Sequence, residues 1–119
     1  MTTEQKIHFI ADYYGYEPQS RQLIEEMAEL TVALNKAWRK TFDTVDKIPN
    51  MDDEERIEEE IADVEIMLSQ IKYLLEIGED ELSQIVEKKL DRQIDRIIST
   101  NYDGADDRGQ DEPQAEKEA

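Results

Sequence analysis

The chain is expected to be all-α, an antiparallel four-helix bundle, and three features of its sequence point there. Apolar residues recur every three or four positions through four stretches, the spacing that gathers them on one face of a helix. Strictly alternating β-branched runs are absent, and only four glycines and three prolines interrupt 119 residues. Charged side chains make up 38% of the chain, enough to solvate the outer face of each helix.

Thr2 with Gln5 reads as a capping box that opens the first helix. Its face of Ile7, Ile10, Ala11 and Tyr14 ends at Gly15. Tyr16-Glu17-Pro18 then reads as a turn, with Pro18 suited to the first turn of the next helix. That second helix carries Leu23, Met27, Leu30, Leu34, Ala37 and Thr41, alternately four and three apart, a heptad-like seam. Residues 42–51 break the period with Asp43, Pro49 and Asn50, and Asp52 with Glu55 resembles the cap of a third helix. Its seam of Ile57, Ile61, Val64, Leu68, Ile71 and Leu75 repeats the same spacing until Gly78. A fourth helix from about Glu79 to Ile98 uses Leu82, Val86, Leu90, Ile94 and Ile97. The helical domain is thus expected over residues 1–102. Residues 103–119 carry seven acidic and two basic side chains and hardly an apolar one, the composition of a disordered acidic tail.

Thirty-one acidic residues against 14 basic ones give a net charge of −17, which argues against duplex DNA or RNA as a partner, because binding phosphates needs clustered Lys and Arg. A nucleotide would approach so acidic a surface only through bound cations and a local basic patch. The N-terminus carries Glu4, His8 and Asp12 rather than a basic segment followed by an apolar one, and no window approaches the roughly 20 apolar residues that cross a bilayer. Zero cysteines exclude disulfides and thiolate metal sites. A cytoplasmic protein with no membrane partner is expected.

The run Glu25-Glu26-Met27-Ala28-Glu29-Leu30 returns 34 residues later as Glu59-Glu60-Ile61-Ala62-Asp63-Val64. Residues three apart share a helix face, so Glu26/Glu29 and Glu60/Asp63 each form a carboxylate pair pointing one way. Like charges at that spacing repel. A hard divalent cation that prefers oxygen ligands, Mg²⁺ or Mn²⁺, would offset the repulsion. In an antiparallel hairpin Glu26 falls near Asp63 and Glu29 near Glu60, so the four acids converge at mid-length. A di-iron carboxylate bundle needs Glu-x-x-His pairs, and the one histidine, His8, has no glutamate three residues before it. Trp38 lies close to the seam and is expected in the core. Tyr13, Tyr14 and Tyr16 are expected to fill the end of the bundle.

Over roughly residues 4–98, the E-x-x-E of Glu26 and Glu29 followed by the E-x-x-D of Glu60 and Asp63 resembles the MazG-like all-α nucleoside triphosphate pyrophosphohydrolases. Glu25 matches the first acid of that family's E-E-x-x-E. The stretch from Lys88 to Arg96 resembles its K-L-x-x-N-x-x-R, with Gln93 where asparagine is usual. The resemblance implies Mg²⁺-dependent hydrolysis of a (deoxy)nucleoside triphosphate to the monophosphate and pyrophosphate, by a homodimer or homotetramer. It implies Glu26, Glu29, Glu60 and Asp63 as metal ligands and Lys89, Gln93 and Arg96 as contacts to substrate phosphate. Glu25 is either a support to the ligands or the base for the attacking water. The alternative is a non-catalytic acidic bundle that binds a basic protein partner. Such a surface needs charge anywhere on a face, whereas a metal site needs acids that face one another beside the seam.

Deleting Asp103–Ala119 is expected to leave helix content and cooperative unfolding nearly unchanged, as followed by circular dichroism. Loss of the cooperative transition would move the domain boundary into this segment.

Overall fold

The computed structural model places four helices in succession: α1 (Thr3–Tyr14), α2 (Tyr16–Lys40), α3 (Met51–Leu74) and α4 (Glu79–Asp103). It describes residues 1–103 apart from Asp43. The expected tail beyond Asp103 lies outside the described residues, and Asp103 itself closes α4. The chain divides into two units, residues 1–77 and 78–119.

The start of α1 is the expected capping box. Thr2 Oγ1 accepts from the Gln5 amide at 3.0 Å, and Gln5 Oε1 accepts from the Thr2 amide at 2.8 Å. Gly15 alone separates α1 from α2, with its N–H donating to the Ala11 carbonyl at 2.8 Å. Its φ of +85° is one that a side chain would strain. The expected turn at Tyr16–Pro18 is instead the first turn of α2. Helix N-termini leave their first four N–H groups without intrahelical partners, so Pro18 lacks nothing there.

Asn50 caps α3, accepting from the Asp53 amide at 2.8 Å, two residues before the expected Asp52. Asp52, Asp53 and Glu54 then occupy the first turn, where the helix dipole favours negative charge. The other end of α3 also differs from expectation. Leu75 is the C-cap, Glu76 turns left-handed at φ +57°, its N–H donates to Tyr73 O at 3.1 Å, and Ile77 N–H donates to Lys72 O at 2.9 Å. Those two bonds are a Schellman motif. Gly78 therefore begins the next helix, its carbonyl accepting from Leu82 N–H at 3.1 Å.

Within the first unit, Lys40 at the end of α2 reaches Asp53 at the start of α3 (3.1 Å), and the middles of the two helices meet at Glu26 and Glu60. The two form a hairpin. Helix α1 lies against α3, where the His8 ring stacks on Tyr73 (centroids 3.9 Å apart, planes at 14°) and the Tyr73 hydroxyl donates to Asp12 Oδ2 at 2.9 Å. Donation to that carboxylate holds the phenol in its protonated form and raises its pKa.

Among the described residues the buried apolar ones are Ala11, Ala33, Ala37, Val64 and Met67. Of the expected seam residues, Ala37, Thr41 and Val64 are buried and Leu23, Leu30, Ile57 and Ile71 are half-buried, whereas Met27, Leu34, Ile61, Leu68 and Leu75 are 42–49% exposed. Residues one position earlier, Glu26, Ala33, Glu60 and Met67, take the inward places. The apolar stripe of each helix is broader than one partner needs. The hairpin closes on the side that carries Ala33 and Ala37 of α2 and Val64 and Met67 of α3. Trp38 is half exposed rather than in the core, and Tyr13, Tyr14 and Tyr16 are also largely exposed.

In the second unit α4 runs five residues past the expected Ile98. Of its expected apolar face, Leu82 is half-buried, whereas Val86, Leu90, Ile94 and Ile97 are 45–53% exposed. No helix among the described residues is long and apolar enough to cross a membrane.

Glu76 at positive φ predicts that Glu76→Gly stabilises the first unit by about 0.5–1 kcal/mol, because only glycine takes this position without a Cβ penalty. Asn50→Ala should destabilise it by about 1 kcal/mol through loss of the cap. Thermal melts of the two variants should shift in opposite directions.

Candidate functional site

The repeated acids meet where α2 crosses α3. Glu26 is half-buried, Glu60 is buried with 6% of its surface exposed, and Asp63 is exposed at the rim. One carboxylate oxygen from each lies within 4.8 Å of the others. Each glutamate is held from the preceding turn of its own helix. Gln22 Nε2 donates to Glu26 Oε2 at 2.8 Å, and Arg56 Nε donates to Glu60 Oε2 at 3.1 Å. The remaining oxygens, Glu26 Oε1 and Glu60 Oε1, are buried and accept no hydrogen bond. A buried charged oxygen without a partner is costly, and two in one place are costlier because the charges repel. An all-oxygen donor set with unpaired lone pairs fits a hard divalent cation of the Mg²⁺ or Mn²⁺ kind.

Glu29 is exposed and stands outside this trio. It still belongs to the cluster electrostatically: its pKa is raised, chiefly by Glu26, then by Glu60, with lesser parts from desolvation, Glu25 and Asp63. Glu25 is exposed on α2 and acts on the cluster through its charge. Lys89, Gln93 and Arg96 lie on α4 in the second unit, four and three residues apart and so on one helix face. Lys89 and Gln93 are exposed, and Arg96 is partly buried.

Gln22 and Arg56 were not singled out from the sequence as supports for the acids, although the signal is present. The repeat extends one turn upstream, as Gln22-x-x-x-Glu26 and Arg56-x-x-x-Glu60. Each copy therefore places a donor four residues before its inward glutamate, the spacing at which helix side chains meet. Compared with known proteins, the chain matches no family model, no curated protein and no solved structure.

Repulsion among these acids makes the metal-free fold sensitive to their removal. Asp63→Asn should raise the metal-free melting temperature and shrink the increment that Mg²⁺ gives over a monovalent salt of equal ionic strength. Glu54→Gln, at the exposed start of α3, should change little beyond its small effect on the helix dipole. Identical behaviour of the two variants would reduce the cluster to a solvated face.

The raised pKa of Glu29 sets a pH dependence with a definite sign. The folded state holds this proton more tightly than the unfolded state, so stability falls as pH rises from the ordinary 4.5 through the raised value, and stays lower above it. Without metal, Glu29→Gln should melt higher than the parent at neutral pH. The difference should close below pH 4.5, where the parent carboxyl is protonated in both states. A gap that persists in acid would assign the effect to packing.

Proposed function

We propose that the chain is a Mg²⁺-dependent nucleotide pyrophosphohydrolase that converts a (deoxy)nucleoside triphosphate to its monophosphate and pyrophosphate, in the control of the cytoplasmic nucleotide pool. The observation that carries this reading is the convergence of two copies of one acidic motif on a single point, with an unpaired buried oxygen from each. The resemblance of the same residues to the MazG-like signature supports it.

In this reading Glu26, Glu29, Glu60 and Asp63 hold the cation. When bound, Mg²⁺ supplies charge neutralisation for the phosphates and lowers the pKa of a coordinated water. Gln22 and Arg56 fix the two inward glutamates, so their free oxygens keep one direction without further loss of rotamer freedom. The water oxygen bonds to the α-phosphorus as the bond to the α–β bridging oxygen breaks. Pyrophosphate leaves with the electron pair, and the water's proton is assigned to Glu25. Lys89, Gln93 and Arg96 are assigned to the departing pyrophosphate as its charge grows. The reading also includes an antiparallel four-helix bundle assembled as a homodimer or homotetramer. The exposed flank of Met27, Leu34, Ile61 and Leu68 supports an assembly that covers apolar surface.

Incubation with the common ribo- and deoxyribonucleoside triphosphates should release pyrophosphate, not orthophosphate, from at least one of them, and only with Mg²⁺ or Mn²⁺ present. Glu60→Gln should lower kcat/KM by roughly a hundredfold or more, as expected for loss of a charge that holds the catalytic cation. No metal-dependent product from any nucleotide would overturn the catalytic reading.

A further inference from the structure

Helix α4 carries an exposed apolar stripe. Val86, Leu90, Ile94 and Ile97 are each 45–53% exposed, and they follow one another at intervals of four, four and three residues. At about 100° per residue, Val86, Ile94 and Ile97 all lie within about 40° of Leu90 around the helix. From Val86 to Ile97 the stripe takes about 3.67 residues per turn, close to the straight helix, so it keeps to one line with little supercoiling. An isolated helix with such a stripe is marginal in water, because packing of the apolar face supplies most of a helix's stability.

The charges beside the stripe are sorted by sign. Glu87, Asp91 and Asp80 lie about 60–100° to one side of Leu90, and Lys89 and Arg96 lie about 100–120° to the other. Lys88, Arg92 and Asp95 fall on the outer face. A solvated helix gains most from opposite charges four residues apart, yet Glu87 and Asp91, at that spacing on the acidic edge, repel each other. The stripe is therefore bordered by one acidic and one basic edge, each the complement of the other.

This sorting selects both an occupant and an orientation. Two parallel copies of α4 joined along their stripes set the acidic edge of each against the basic edge of the other, on both sides of the contact. Two antiparallel copies set acid against acid and base against base. We propose that α4 pairs with α4 of a second copy of the chain, parallel and in register, with Val86, Leu90, Ile94 and Ile97 at the contact and Glu87 and Asp91 beside the basic edge of the other copy. The pairing supplies an interface for the homo-oligomer of the pyrophosphohydrolase reading and rests on that reading for none of its chemistry. Long side chains at the edge of such a contact keep their charged ends in water, so Lys89 and Arg96 stay within reach of an anion.

The chain has no cysteine, so single cysteines report the orientation without background. In a parallel pair every stripe residue meets its own counterpart, whereas in an antiparallel pair only the residue at the centre does. Full-length Val86→Cys, Leu90→Cys and Ile97→Cys are each oxidised and run on a non-reducing gel. Ser99→Cys is the control, since Ser99 is exposed and lies about 180° from Leu90. The expected result is a disulfide-linked dimer from all three stripe positions and none from Ser99→Cys, with sedimentation showing the parent chain as a dimer. Reversing the acidic edge, as Glu87→Lys with Asp91→Lys, should raise the dimer dissociation constant roughly tenfold or more. Reversing the basic edge, as Lys89→Glu with Arg96→Glu, should do the same, and mixing the two variants should restore dimers.

The pairing is overturned by a monomeric parent, by a link at Leu90→Cys alone, by links that form equally at Ser99→Cys, or by edge-reversed variants that dimerise as tightly as the parent. A dimeric parent with no link at any stripe position also overturns it, and assigns assembly to the apolar flank of α2 and α3 while the catalytic reading stands. Links at all three stripe positions in a chain that releases no pyrophosphate keep the pairing and remove the catalytic reading.

Discussion

The burial of two glutamates in the seam between α2 and α3 is the constraint on which the rest of the first unit depends. Removing a carboxylate from water costs several kcal/mol unless the charge finds partners. Glu26 and Glu60 each find one for half of their oxygens, Gln22 and Arg56, from the preceding turn of the same helix. Those partners are exposed, and they leave Glu26 Oε1 and Glu60 Oε1 buried and unbonded. Further along the same seam the buried residues of α2 are Ala33 and Ala37, and at the acids one oxygen each of Glu26, Glu60 and Asp63 lies within 4.8 Å of the others. Register, side-chain size and charge are therefore not independent choices here.

The same constraint explains how little apolar surface the unit buries. Among its described residues, alanines contribute three of the five buried apolar side chains, and Val64 and Met67 the others. Alanine buries little area, so the hydrophobic contribution of such a core is small for its length. Meanwhile Met27, Leu34, Ile61 and Leu68 stay more than two-fifths exposed on the flank. The unit is thus unfavourably charged inside and apolar outside, the reverse of what stability alone would select. A cation at the acids relieves the first condition, and a covering surface on the flank relieves the second.

Much of the fold was legible because it depends on local chemistry. The Thr2/Gln5 capping box, the break at Gly15 and the four helices follow from side chains acting within a turn or two. The convergence of Glu26, Glu60 and Asp63 was legible too, since a repeated motif on a hairpin has few ways to meet. Details that depend on competition between neighbours were not. Asn50 took the cap from Asp52 because its side chain reaches the Asp53 amide. Glu76 took the left-handed position that Gly78 was expected to end α3 with, because the Schellman bonds to Lys72 and Tyr73 close there. The buried stripe likewise kept Ala37 and Val64 of the expected seams but took in Ala33 and Met67 from the adjacent positions, which counting apolar positions does not weigh. Trp38, read as core by its nearness to the seam, is half exposed and lines a cavity near the α2–α3 connector.

That shift of one residue bears directly on the acids. Had the hairpin closed on Met27, Leu34, Ile61 and Leu68, as the richest apolar spacing suggests, Glu26 and Glu60 would have flanked the interface and remained hydrated. Hydrated carboxylates hold a divalent cation weakly, because water competes for both partners and screens their charges. With Glu26 half-buried and Glu60 buried instead, the two carboxylates are less hydrated, and attraction to a cation would grow as water withdraws. The larger side chains left on the flank are what the molecule forgoes for that gain. A packing choice that lowers the stability of the metal-free chain is thereby the one that strengthens its candidate metal site.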